Sequence, residues 1–386
     1  MTKFNPQAEE LNRIIKKDNP AVFELLSDKG KAAYFPKKGI IRQTAEAKGK
    51  AINATIGMAM EDDGSPMRLP SIAKKLNMNP AEAFTYASSY GKPELRKAWQ
   101  ALIYKKNPSL KSRISLPITT NALTHGLSTA GFLFVNPGDK IMVTDKFWGN
   151  YRLIFENGHG GVIETFNTFA GSGFDVPALR SVLDACPGKQ ILLLNFPNNP
   201  SGYTPTNKEI EQITEVLLNS ARYGNKLLIL IDDAYFGLVF REGVYTESIF
   251  SKLADLHENI LAVKVDGATK EDYVWGFRVG FLTYACKGIT EAACSALEEK
   301  TGGAVRGNIS NASHLGQSLV FAAVNAPSYE AEKKIKYELM KSRFDRVQEV
   351  LAQNSKKYSP FFRCYHPYSR GPEKISTFSK ICLSER

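Results

Sequence analysis

Short unbroken apolar runs alternate along this chain with stretches of helical period. Ile191–Leu194, Leu227–Ile231 and Ile260–Val265 are brief, rich in branched residues and bounded by polar or glycine-containing turns, which predicts buried strands. Continuous rather than alternating runs are the pattern expected when helices cover both faces of a sheet. Further strands are predicted over Lys140–Asp145, within 161–175, where a glycine-containing loop follows, and from Val279 onward. Between them, Leu95, Trp99, Leu102 and Ile103 share one helical face behind Pro93, which makes Trp99 a core residue. Leu123, Leu127, Ala130 and Phe134 form a second helix, with Thr120-Asn121 offering a cap. Ile210, Ile213, Val216 and Leu217 line a third, between a Thr206/Glu209 capping box and Gly224.

The two ends read differently. Residues 1–50 are polar and helical, with Leu11, Ile14 and Ile15 on one face and a break at Pro36 before Lys37-Lys38. Residues 52–67 read as a strand entering a loop. Beyond Arg278 the pattern predicts a strand, a helix over 289–300, a small-residue loop over GGAVRGNISNAS and two helices over about 314–354. Ile335, Leu339, Phe344, Val347 and Val350 on the last helix are expected to form the spine of a smaller domain.

Length and composition narrow the class. A chain of 386 residues should hold one large and one smaller core. Apolar content of 43% and charged content of 23% are ordinary for a globular protein. No run approaches the roughly 20 apolar residues that span a bilayer, and the start has no apolar signal core, so neither a membrane protein nor a secreted one is expected. The five cysteines are scattered and lack CxxC spacing, which fits reduced thiols in a cytoplasm and no metal site. The formal charge of +11 is spread thinly and mixed with acids, as in EAEKKIKYELMKSR, so attraction for small anions is expected rather than nucleic-acid binding.

The candidate chemistry gathers at strand ends. Lys270 follows the Ile260–Val265 run and its turn, and Arg278 opens the next apolar run eight residues later. A lysine can form a Schiff base with a carbonyl while an arginine grips a phosphate. Taken alone, the same pair describes two solvated cations on a surface turn. Asp232 directly ends the run from Leu227, and a carboxylate leaving a buried strand needs a partner, either a protonated ring nitrogen or a backbone amide. Asp233 is expected to point away. Phe196-Pro197-Asn198-Asn199-Pro200-Ser201-Gly202 is a rigid loop with two amides at its tip, and Trp148 stands where α/β ligands collect. Amides at the helix start near Leu123 could hold a phosphate, as at any helix start. His125, in that helix's first turn, reads as structural, and Tyr86 lies on a loop before Gly91.

With the Asn-Asn-Pro-Ser-Gly loop, the Asp-Asp-Ala-Tyr strand end and a lysine followed by arginine at the eighth position, the chain resembles the class I/II aminotransferases over roughly residues 50–355. These are fold type I enzymes dependent on pyridoxal 5'-phosphate. The resemblance implies an α/β fold with a mixed, mostly parallel sheet covered by helices on both faces. It implies a large cofactor-binding domain at 50–305 and a smaller α+β domain from 1–49 and 306–386. By the same resemblance Lys270 is the Schiff-base lysine and proton carrier, and Asp232 keeps the pyridine nitrogen protonated. Asn199 and Tyr235 bond the ring's phenolic oxygen, Trp148 stacks on the ring, and Arg278 clamps the phosphate. Leu123 and Thr124 lend amides to the phosphate. Tyr86 reaches the phosphate of a neighbouring subunit, which implies a homodimer with shared sites. The activity implied is transfer of an amino group between an amino acid (aspartate or a broad range) and a 2-oxo acid. A β-eliminating lyase on the same scaffold, a regulatory cofactor-binding module and a weakly active cofactor binder are the alternatives.

Two departures from the family stand out. The usual serine three positions before the lysine is Gly267, with Thr269 available to compensate. After Arg363 the chain lacks the alternation of a strand pair, and neither Arg370 nor Arg386 sits in the context of the family's substrate-carboxylate arginine. The expectation is a tail that is truncated or shifted in reading frame.

Overall fold

The computed structural model describes residues 4–18, 20–33 and, apart from position 172, 59–354, with a few isolated positions between 46 and 55. Lys37-Lys38, most of the strand expected from residue 52, and the tail expected to be truncated or frame-shifted lie outside the described residues.

The chain opens with three helices, α1 (Pro6–Asp18), α2 (Pro20–Leu25) and α3 (Asp28–Ala32), and continues through two single turns, α4 (Pro70–Ala73) and α5 (Pro80–Ala83). The layered body begins at α6 (Pro93–Lys106), β1 (Ile118–Asn121), α7 (Ala122–Phe134) and β2 (Lys140–Thr144). It continues with β3 (Val162–Phe166), a small hairpin of β4 (Phe169–Ala170) and β5 (Gly173–Phe174), α8 (Val176–Asp184), β6 (Lys189–Leu194) and α9 (Asn207–Arg222). β7 (Lys226–Asp232), α10 (Phe250–Leu253), β8 (Ile260–Gly267), α11 (Ala268–Glu271) and β9 (Val279–Ala285) complete the sheet region. Three helices come last, α12 (Glu291–Ile309), α13 (His314–Val324) and α14 (Tyr329–Asn354).

Seven strands form one sheet in the order β1-β9-β8-β7-β6-β2-β3. β9 runs antiparallel to both of its neighbours, and the pairs from β8 through to β3 are parallel. The expected mixed, mostly parallel sheet is present. Its two faces bury different sets of side chains, because successive residues of a strand point to opposite sides. Ile229, Ile231 and Ala262 join Trp99 and Leu217 on one face, while Leu228, Leu230 and Val263 join Leu127 and Ala130 on the other. Trp99, as expected, is fully buried and stacks on Phe281 at 4.3 Å. The Thr206/Glu209 capping box forms in full.

Several expectations need correction. Leu11 and Ile14 are exposed, so the apolar face of α1 is not covered by the described residues. Residues 302–309 are helix rather than loop, because α12 runs straight through Gly302-Gly303. Gly302 belongs there because Tyr90 packs against it: a Cβ would lie 2.7 Å from the Tyr90 ring. Close packing therefore outweighs the roughly 1 kcal/mol that glycine costs inside a helix. Ile335, Val347 and Val350 are exposed and form no spine among the described residues, whereas Leu339 packs on the main core and Phe344 lies against Phe240. Asn121 gives no side-chain cap to α7; it is still paired in β1, and its own N–H donates to His125 Nδ1 at 3.1 Å.

Candidate active site

The parallel strands β2, β6, β7 and β8 end on one edge, and the segments leaving them converge there. β2 leads to Trp148, β6 to Asn195 and its loop, β7 ends on Asp232, and β8 turns into α11 with Lys270. Register makes this convergence unavoidable, since Leu194 pairs with Ile231 and Asp232 with Val265. The result is a cavity of about 270 Å³. Asp232, Tyr235, Lys270 and Arg278 line it together with Asn199 and Trp148. Leu123, Thr124 and Thr269 line it too, so nine of the expected site residues share one space. Tyr86 does not: it is 91% exposed, outside the cavity.

Asp232 is held from two sides. Tyr151 donates to its Oδ2 at 2.6 Å and the Ala234 amide to its Oδ1 at 3.2 Å. Burial raises its carboxyl pKa to about 6, against the Tyr151 hydrogen bond and the charge of Lys270, which act to lower it. Tyr151 is itself buried, and burial together with Asp232 pushes its phenol far above the ordinary range. Lys270 lies over the Tyr235 ring, 5.4 Å from its centre. Burial and then Arg278 lower its ammonium pKa, with Asp232 opposing. A lysine shifted this way holds a larger fraction of neutral amine, the form that attacks a carbonyl.

Asn198 and Asn199, side by side in the loop, divide the work. Asn198 is a staple: its Nδ2 donates to the Lys146 carbonyl at 3.0 Å and its Oδ1 accepts from Ser201. Asn199 lines the cavity, and its amide donates to Asn195 Oδ1 at 2.7 Å. Asn195 in turn donates to the Asp232 carbonyl at 2.7 Å, tying the loop to the end of β7. Ala122, Tyr273 and Arg278 all adopt positive φ (61°, 58° and 55°). Ala122 and Arg278 line the cavity, and backbone strain of this kind concentrates at ligand sites.

The departure at Gly267 has a steric reason. A Cβ there would lie 2.6 Å from the Val279 carbonyl oxygen and 2.7 Å from Gly280 Cα, its partner across the β8–β9 ladder. No serine fits. The Thr269 hydroxyl, two residues on, is buried and has no hydrogen-bond partner among the described residues, as has the Trp275 indole N–H. Both residues line the cavity, and buried polar atoms left this way are what a polar ligand satisfies.

Sequence reasoning missed Tyr151, Asn195 and Trp275. Tyr151 had a signal: it lies three residues after Trp148, on the same side of a helical turn, and the two rings meet edge to face at 5.7 Å. Asn195 shows in the sequence only as the polar residue at which the Ile191–Leu194 run ends. His125 does not line the cavity; its Nδ1 accepts from the Asn121 N–H at 3.1 Å, and burial lowers its pKa. Asp233 does point away from the cavity, but into a buried ion pair with Lys264.

A family model described as "Aminotransferase class I and II" matches residues 52–369. Among curated relatives, the aspartate aminotransferase of Sulfurisphaera tokodaii is 27% identical over 258 residues, covering 66% of this chain and 60% of that protein's length. Among solved structures, the cytoplasmic aspartate aminotransferase of Saccharomyces cerevisiae superposes with a TM-score of 0.76 at 18% identity, covering 95% of this chain and 92% of that one. An aromatic-amino-acid aminotransferase of Burkholderia pseudomallei, described as covalently bound to pyridoxal phosphate, gives 0.67 at 18% identity over 86% and 83% of the two chains.

Proposed function

The chain belongs to the class I and II aminotransferases, and from that premise we propose that it transfers an amino group between an amino acid and a 2-oxo acid using pyridoxal phosphate. Aspartate or a broad range of donors is the substrate reading. One observation carries the proposal: Lys270, Asp232, Asn199, Tyr235, Arg278 and Trp148, drawn from the ends of five strands, meet in one cavity.

The residues present fit the cofactor. An acid stands in the cavity with a lysine and an arginine, and the orphaned Thr269 hydroxyl beside them suits a phosphate oxygen. Arg278, Thr269 and the Leu123 and Thr124 amides would hold the phosphate, Asn199 and Tyr235 the phenolic oxygen, and Trp148 the ring face. Pyridoxal phosphate supplies a reactive carbonyl and an electron sink beside the substrate's Cα. Lys270 would hold the cofactor at its carbonyl carbon, and its neutral Nζ would carry the proton to and from the substrate's Cα. Asp232 would accept the ring nitrogen's N–H and favour the protonated form of that nitrogen. Tyr151 and Ala234 hold the Asp232 carboxylate in place.

The exposed Tyr86 supports a homodimer in which it completes the neighbouring copy's phosphate site. The proposed large domain is 50–305, with 1–49 and 306–386 contributing to the smaller one. A cytoplasmic location is proposed as well; among the described residues no helix is long and apolar enough to cross a membrane. The test is a half-reaction screen, in which the bound cofactor's absorbance is followed with each amino acid and no oxo acid. A shift with amino acids, reversed by a 2-oxo acid, is expected. Release of ammonia and pyruvate without an acceptor would replace transfer by elimination.

A further inference from the structure

On the side turned away from the cavity, the end of α11 and the residue that caps it are acids, Glu271 and Asp272, which directly follow Lys270 and are 6% and 1% exposed. Helix α14 reaches them: Lys333 Nζ lies 2.7 Å from Glu271 Oε1 and 3.3 Å from Asp272 Oδ1. One turn earlier, Tyr329 donates to Asp272 Oδ1 at 2.7 Å. From the other side Lys106, at the end of α6, meets Glu271 Oε2 at 2.8 Å while lying over the Trp99 and Phe236 rings. A four-residue helix is too short to hold its own geometry, and the backbone beside it is strained, with Tyr273 at φ 58°. The two cations therefore do what the turn cannot do alone.

We propose that Lys106 and Lys333 are positioning residues for Lys270: they clamp the turn that presents it and balance the two acids behind it. The inference rests on Lys270 being the cofactor lysine. Two acids face two lysines, so removing one partner leaves an uncompensated buried charge on the turn that carries Lys270. An uncompensated anion there favours the ammonium, and an uncompensated cation favours the free amine. The clamp shows at Glu271: burial would raise its carboxyl, yet Lys106 and Lys333 hold it well below the usual carboxylate range, whereas burial keeps Asp272 raised against Lys333 and Tyr329. Other charged groups lie near. Lys270 is faced by Asp232 and Tyr235 from the end of β7 and by Arg278 from the start of β9. Tyr273 and, on β8, Lys264 feel the acids, while Glu61 and Glu330 act on Tyr273 and Tyr329. All of these stay unaltered in the variants that test the proposal.

The test uses the full chain stripped of cofactor and pyridoxal phosphate as the probe, with capture fixed by borohydride and measured against pH. Capture needs the neutral amine, so its midpoint reports the pKa of Lys270. In Lys333→Met the midpoint is expected to rise by roughly one pH unit, in Glu271→Gln to fall, and in Lys333→Arg to stay near that of the unmodified protein. Near-ultraviolet circular dichroism confirms folding. An unmoved midpoint in folded Lys333→Met, or shifts of the same sign in Lys333→Met and Glu271→Gln, overturns the proposal. Should Lys333→Met not fold, Glu271→Gln decides alone: an unmoved or raised midpoint overturns it. Undiminished capture by Lys270→Ala is a separate result and removes the lysine assignment itself.

Discussion

Asp232 and Asp233 are neighbours at the end of β7, and they face opposite sides of the sheet into opposite electrostatic settings. Asp232 opens on the cavity, where its direct partners are a tyrosine hydroxyl and one amide. Asp233 is buried against Lys264, which also lies 3.4 Å from Asp266, and accepts the Ser248 hydroxyl at 2.6 Å. Burial would drive the Lys264 ammonium down, but Asp233 and Asp266 more than offset it and leave it raised. Burial still raises the Asp233 carboxyl against the pull of Lys264 and Ser248, yet the ion-pair geometry makes the neutralised pair the reading that stands. Asp266 in turn accepts the Trp99 indole N–H at 3.1 Å. Side by side, the two carboxylates separate two uses of buried charge. Behind the sheet, charge is neutralised within the protein and holds the fold. In front, the carboxylate's pKa is raised to about 6 by burial, which a ligand carrying positive charge would relieve.

The largest effects should separate the two lysines. Lys270→Ala is expected to lower turnover by roughly 10⁴-fold or more with little change in stability. Lys264→Ala should do the reverse at the level of the fold, costing about 3–5 kcal/mol because two acids are left buried without their cation. Chemical denaturation alongside a turnover assay checks both, and a stable Lys264→Ala protein would break the comparison.

The acids sharpen it. Asp232→Asn should lose about 10²–10⁴-fold in turnover and yet stabilise the cofactor-free protein. An acid whose folded pKa is raised contributes stability below its unfolded pKa and loses it as pH rises through the folded one. With values near 4 and about 6, the gain in Asp232→Asn should be on the order of 2–3 kcal/mol at pH 7 and vanish below pH 4. Melting the cofactor-free protein across that range shows it directly.

How much of this was legible depends on pattern length. The strands around 191–194, 227–231 and 260–265 announce themselves because their positions are apolar, Lys264 excepted, and Asp232 is visible because it ends such a run. Lys264 and Asp266 were not, since they sit inside the β8 run and only the register with β7 brings them beside Asp233. A lysine within a buried strand was the overlooked signal: it requires an acid on an adjacent element. The clamp on Glu271 and Asp272 was hidden for a similar reason. Its cations come from α6 and α14, more than 60 residues away in either direction, and local periodicity carries no information on such pairings.

Smaller effects probe single hydrogen bonds in front. Tyr151→Phe removes the hydroxyl that favours the Asp232 anion. Its carboxyl should then move above 6, shifting the acid limb of the pH–rate profile upward and lowering turnover at pH 7 by about tenfold. An unmoved acid limb would detach Tyr151 from the chemistry. Thr269→Ala should weaken cofactor binding by about tenfold without altering the fold, measured by equilibrium titration of the cofactor-free protein.

The division between front and back rests on which lysine a carbonyl cofactor reaches. Incubating the protein with pyridoxal phosphate, reducing with borohydride and mapping the modified peptide by mass spectrometry answers that question. The expected product carries one pyridoxyl group on Lys270. A label on Lys264, or one spread over surface lysines with Lys270 unmodified, would contradict it.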